Sequence, residues 1–132
     1  MVEAVQRRAT KLMVGGKLPY KERLHKTGLM LLSSRRTYLD LLFLFKCLHG
    51  HYDLDISNYL KLYDSENERY NIRNTELTFK IVYARTDLFK YSFFPRTARL
   101  WNNLPIVIRK NESVSLFKKE LRLYCLDIDR HD

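Results

Sequence analysis

Residues 33–50 read SSRRTYLDLLFLFKCLHG, and the fold turns on how this stretch is read. Leu39, Leu41, Leu42, Phe43, Leu44, Phe45 and Leu48 cover most of a helix's circumference. A helix that is apolar on nearly every side must be enclosed by neighbours. Ser33 or Ser34 is placed to cap its start, and Gly50 lies just past its end. The region of about 34–48 is therefore expected to be a buried central helix. Arg36 and Asp40, four apart, can pair on its surface.

Toward the N-terminus, VEAVQRRATKLM at 2–13 has the spacing of an amphipathic helix. Val2, Val5, Ala9 and Leu12 form one stripe, while Arg7, Arg8 and Lys11 take another face. Gly15 and Gly16 end it, Pro19 opens a short second helix (PYKERLHKT), and Gly28 stops that one. Leu18, Tyr20 and Leu24 could supply its buried side.

Toward the C-terminus, 51–60 reads as a loop with a short helix. The polar run DSENERYNIRNTE at 64–76 reads as a mobile loop. LTFKIVYA and LFKYSFF are rich in β-branched and aromatic residues and predict a two-stranded β-ribbon over about 77–94, packed on the helices. RTARLWNNL, after Pro95, fits a short helix closed by Pro105. Ser113 caps a last helix, VSLFKKELRLYCL, and the tail 127–132 is expected to fray. The fold class is mainly α-helical (α+β), one domain over 1–132.

The 132 residues, 45% hydrophobic and 13% aromatic, suffice for one domain with a modest core. The longest apolar run, LLFLF at 41–45, is far below the ~20 residues of a membrane helix, so no membrane partner is expected. MVEAVQRR has no apolar stretch behind its charges, so no signal peptide is expected either. Cys47 and Cys125 sit inside apolar helical patterns without metal spacing. That usage fits a reduced, intracellular setting, in cytoplasm or nucleus.

Charge is the most informative bulk property. The net charge is +9, and residues 1–51 hold ten Lys/Arg against three Asp/Glu, whereas 52–132 hold fourteen against twelve. A basic half on such a chain suggests a polyanion partner, RNA or DNA. Arg7, Arg8, Lys11, Arg23 and Arg35 are the candidate phosphate contacts, because guanidinium and ammonium groups bind phosphate with little demand on sequence. The alternative is a solvated face with local ion pairs.

Catalytic arrangements are missing from the sequence. It has no phosphate-binding glycine loop, no GxSxG and no HExxH. His49 and His51 lie near Cys47 in CLHGH, a set that reads as helix-end histidines unless further ligands converge on it. The pairs Asp53 with Asp55 and Asp127 with Asp129 read as solvated turns. No catalytic residue, metal ligand or cofactor is assigned to this chain.

Four segments taken in order carry a resemblance. They are VEAVQRRATKLM (2–13), LPYKERLHKTGLMLLSSRRTYLDLLFLFKCLHG (18–50), FFPRTARLWNNLP (93–105) and SVSLFKKEL (113–121). Together they resemble the C-terminal end of the reverse transcriptase polyprotein of non-LTR (LINE-like, jockey-type) retrotransposons. The matching positions are Val2, Glu3, Val5, Gln6, Arg7, Arg8 and Thr10, then Tyr20, Arg23 and Leu24. Gly28, Leu29, Leu32, Arg35, Arg36 and Asp40 follow, with Lys46, His49 and Gly50 at the helix end. Phe93, Phe94, Arg96, Trp101, Asn102, Leu104, Pro105, Phe117, Lys118 and Leu121 complete the pattern. The resemblance covers nearly the whole chain, most weakly at 52–76.

The resemblance implies a parent RNA-directed DNA polymerase using Mg2+, often with an endonuclease upstream. The polymerase aspartates would lie N-terminal to Met1, which would then be an internal methionine. This chain would be a non-catalytic piece that supports template RNA or target DNA binding beside the upstream polymerase domain. Alternatives are a protein-interaction domain, self-associating through apolar faces of which the first helix offers the most open, and a decayed transposon remnant. Trp101, Asn102, Leu104 and Pro105 read as a structural clasp holding the ribbon and last helix on the core helix, with base stacking by Trp101 as the alternative.

Overall fold

The structure, a computed structural model, describes residues 2–62, 77–80 and 85–131. Among these are seven α-helices: α1 (Val2–Val14), α2 (Tyr20–Thr27), α3 (Leu32–Leu48), α4 (Asp87–Lys90), α5 (Phe93–Asn102), α6 (Ile106–Arg109) and α7 (Val114–His131). A 3-10 turn spans Ile56–Asn58. Length alone suggests one domain. By its internal contacts the chain divides into two compact units, Met1–Tyr38 with Leu121–Asp132, and Leu39–Glu120.

In the first unit, α2 begins after Pro19 and ends at Gly28, whose φ of 70° returns its N–H to the carbonyls of Leu24 and His25. Helix α1 turns Val5, Ala9 and Leu12 of its apolar stripe outward. Val5, Leu12 and Met13 are exposed, while Glu3 and Gln6 are half-buried and Thr10 is fully buried. A polar inner face is affordable only because every group on it finds a partner, as described below.

The start of α3 shows why. Leu32 N–H donates to Glu3 Oε2 at 3.0 Å, and Leu31 N–H donates to Asp129 Oδ2 at 3.1 Å. Ser34 Oγ also donates to Asp129. Two remote carboxylates therefore serve the open N–H groups of this helix, in place of the local cap expected from Ser33 or Ser34. Where the sequence suggests a frayed tail at 127–132, α7 runs to His131, with Asp129 bonded to Leu31.

In the second unit, Leu41, Leu42, Leu44, Phe45 and Cys47 of α3 are buried, as a helix apolar on most sides requires. Phe45 stacks on Phe117 with centroids 4.0 Å apart, and Phe117 stacks on Trp101 at 5.9 Å. Leu60, Phe79, Ala98, Leu104 and Ile108 close this core. Asp40 pairs with Arg96 of α5 at 3.0 Å, a partner its spacing from Arg36 does not suggest.

Among the described residues the two-stranded ribbon expected over 77–94 is not formed. Its second half is helical, with α4 at Asp87–Lys90 and α5 beginning at Phe93. Thr86 Oγ1 accepts from Phe89 N–H at 3.2 Å and so caps α4. The aromatics that suggested a strand serve helix packing, Phe93 edge-on to Phe43 and Phe94 stacked on Tyr59. In the first half, Phe79 makes one isolated antiparallel bridge with Leu62. Its own N–H and C=O are both taken by the Asn102 amide, at 2.9 and 3.0 Å. A side chain thus occupies the place of a second strand. Residues 81–84, and the loop expected at 64–76, lie outside the described residues.

Candidate nucleic-acid interface

The first unit carries eleven Lys and Arg against five Asp and Glu, a balance of +6 in the chain's total of +9. Three of these cations share a helix face. At about 100° per residue, Arg7, Arg8 and Lys11 fall within a sector of about 100° on α1. All three are exposed. Arg35, in the first turns of α3, is exposed as well, as is Arg36. Among the described residues no carboxylate pairs with Arg8, Lys11 or Arg35. These are the properties of cations available to a phosphate backbone.

Arg23 is different. It is 4% exposed, and its guanidinium is committed inside the unit. Nη1 donates to Leu18 O at 2.8 Å, Nε to Thr10 Oγ1 at 3.2 Å and Nη2 to Arg7 O at 3.4 Å. This withdraws Arg23 from the candidate phosphate contacts and makes it the pin between α1 and α2. A buried arginine satisfied by three oxygens is costly to remove, because its partners lose their donors too.

Arg23 belongs to a larger network. Tyr20 Oη donates to Glu3 Oε1 and accepts from Gln6 Nε2 at 3.0 Å, and Gln6 Nε2 also reaches Met30 O at 3.0 Å. Burial, and then the Glu3 carboxylate, raise the Tyr20 phenol, so it stays protonated as the donor this geometry needs. Arg7 lies over the Tyr20 ring at 4.7 Å. The polar positions Glu3, Gln6, Thr10, Tyr20 and Arg23 therefore build the joint, and Arg7, Arg8 and Lys11 are held outward by it. Spacing along α1 indicates the exposed triad, but nothing in the sequence marks Glu3 and Asp129 as caps of a distant helix.

Trp101 is 1% exposed, so neither ring face is open to a base. Its Nε1–H donates to Leu77 O at 2.9 Å, and its ring meets Phe79 edge-on at 6.0 Å. Leu77 has a φ of 52°, a conformation unfavourable for a leucine. Its carbonyl also accepts from Arg109 Nη1 at 3.4 Å, and Thr78 Oγ1 from the same nitrogen at 2.8 Å. Leu104 is buried, and Pro105 immediately precedes α6. Trp101, Asn102 and Arg109 together tie residues 77–79 to the helices of the second unit.

Beside α2 lies a cavity of about 580 Å³ with Leu24, Leu29, Leu31 and Leu126 in its lining. Lys21 and Arg122 there are balanced by Glu22 and Asp129, so it does not extend the basic face. Among the described residues no three His, Cys, Asp or Glu side chains converge as a metal site. No described helix is long and apolar enough to cross a membrane. Compared with protein-family models, curated proteins and solved structures, the chain matches none.

Proposed function

We propose that this chain is a non-catalytic, nucleic-acid-contacting piece of a reverse transcriptase of the non-LTR retrotransposon type. It would grip the phosphates of template RNA or target DNA through Arg7, Arg8 and Lys11, with Arg35 as a further contact. The supporting observation is the outward triad on α1, held by a joint whose own cations and carboxylates are internally satisfied. The same observation ties the reading to the resemblance, because Glu3, Gln6, Thr10, Tyr20 and Arg23 of the matching pattern are the residues of that joint. Chemistry on the nucleic acid would belong to the upstream polymerase domain, with its Mg2+, in the cytoplasm or nucleus.

The test is binding of the full chain to a fluorescein-labelled RNA hairpin, read by anisotropy. The variant Arg7→Gln/Arg8→Gln/Lys11→Gln is expected to lose at least about tenfold in affinity at low salt while keeping its helical spectrum. Unchanged affinity in the folded variant would refute the assignment.

The exposed stripe of Val5, Leu12 and Met13 favours a second reading, a protein-docking helix. Self-association at micromolar concentration, unaffected by RNA and lost in Leu12→Gln, would favour docking over nucleic-acid contact.

A further inference from the structure

The second unit has a cavity of about 310 Å³ in which Tyr59, Phe89, Phe94, Pro95 and Ala98 form the apolar lining. That is the low end of the range for small-ligand sites and suits one planar ring system. Tyr59 and Phe94 stack almost in parallel, with centroids 4.6 Å apart and planes 5° from each other. Tyr59 is 54% exposed and Phe89 46% exposed. Two aromatic rings are thus left open at one concave site, although burying them would stabilise the unit.

We propose that this cavity takes one unstacked base of a single-stranded nucleic acid, stacked on the Tyr59–Phe94 pair and flanked by Phe89. The inference rests on the reading of the chain as a nucleic-acid-contacting piece and deepens it, adding base contact to the phosphate contact of α1. Aromatic platforms accept any base, because every base has a π face. Polar groups stand at the rim, where Asn58 and Ser92 belong to the lining. Ser92 Oγ donates to Phe89 O at 2.6 Å, which leaves the hydroxyl oxygen as an acceptor for a base edge.

The surrounding charge selects the occupant. Among the described residues the lining holds one charged side chain, Lys80, and no carboxylate; Lys61 and Lys90, both exposed, adjoin lining residues in the chain, Lys90 with its Nζ over the Tyr91 ring. Asp55, before Asn58, and Asp87, before Phe89, are the carboxylates nearest the lining residues in the chain. A strand whose base enters the cavity would carry its phosphates past these lysines. A proline-rich peptide also uses aromatic grooves, but has no need of the cations.

The experiment uses the full chain and two labelled oligomers of about twelve nucleotides, oligouridylate and an abasic strand with the same backbone. The wild type is expected to bind oligouridylate more tightly than the abasic strand. Tyr59→Ala and Phe89→Ala should each weaken oligouridylate about 5- to 100-fold and leave the abasic strand unchanged, and Tyr59→Phe should retain binding. Both alanine variants alter exposed rings, and circular dichroism checks that each is folded. Ultraviolet crosslinking to oligouridylate should map to Tyr59, Phe89 or Phe94. Equal binding of both oligomers, weakened only by the α1 triple variant, would overturn the base site and leave phosphate contact standing. Binding of neither would overturn both. Displacement by an oligoproline peptide, lost in Tyr59→Ala, would reassign the cavity to a peptide.

Discussion

Replacing Trp101 by Ala probes the joint that holds the second unit together. Trp101 is 1% exposed, touches Phe79 and Phe117 through its ring, and bonds Leu77 O through its N–H. Truncation leaves a cavity among residues that are themselves fully buried. The cost is expected to be about 3–5 kcal/mol, as for other buried large-to-small changes. The lost hydrogen bond adds little, because Leu77 O keeps Arg109 Nη1 at 3.4 Å. Trp101→Phe retains most of the ring and should cost only about 1–3 kcal/mol. Asn102→Ala strips the N–H and C=O of Phe79 of their partners together and should cost about 2–3 kcal/mol. Urea unfolding followed by far-UV circular dichroism measures all three without relying on the chain's single tryptophan. A Trp101→Ala chain within about 1 kcal/mol of the wild type would refute the packing described for Trp101.

Other consequences are equally open to measurement. Glu3→Ala removes the acceptor of both Leu32 N–H and Tyr20 Oη–H, and should destabilise by about 2–3 kcal/mol in urea unfolding. Thr97 is fully buried with no hydrogen-bond partner for its hydroxyl among the described residues, so Thr97→Val should be neutral or raise stability by up to about 1 kcal/mol, read from the thermal midpoint. Cys47 and Cys125 are free, buried thiols, and should resist a thiol reagent until the chain unfolds. Burial, and then Asp129, push the Cys125 thiol up to about 11 from its ordinary 9.0. Because the folded value is the higher one, this contribution to stability is whole below pH 9 and is lost as pH rises toward 11. Cys125→Ser should flatten that part of a stability–pH curve.

The parts of the fold legible in the sequence are those set by local periodicity. The core helix followed from seven apolar residues between Leu39 and Leu48, and the end of α2 followed from Gly28. The ribbon misled because β-branched and aromatic residues signal half-buried packing in general, and Phe93 and Phe94 pack from a helix. An asparagine side chain that satisfies the Phe79 backbone leaves no trace in a periodicity. The tail at 127–132 is polar and terminal, but Asp129 is fixed by Leu31 and Ser34, 98 and 95 residues away in the chain. At the candidate interface, spacing placed Arg7, Arg8 and Lys11 on one face. It could not separate them from Arg23, because a buried arginine with three oxygen partners and an exposed one look alike in composition.

The measurement closest to the central claim is the salt dependence of RNA affinity, in the wild-type chain and the Arg7→Gln/Arg8→Gln/Lys11→Gln variant. Plotted as log affinity against log salt, the wild-type line should fall steeply, and the variant's line should be shallower by about 2–3 units for three lost phosphate contacts. Parallel lines of equal slope, or a wild-type affinity indifferent to salt, would contradict phosphate contact through α1.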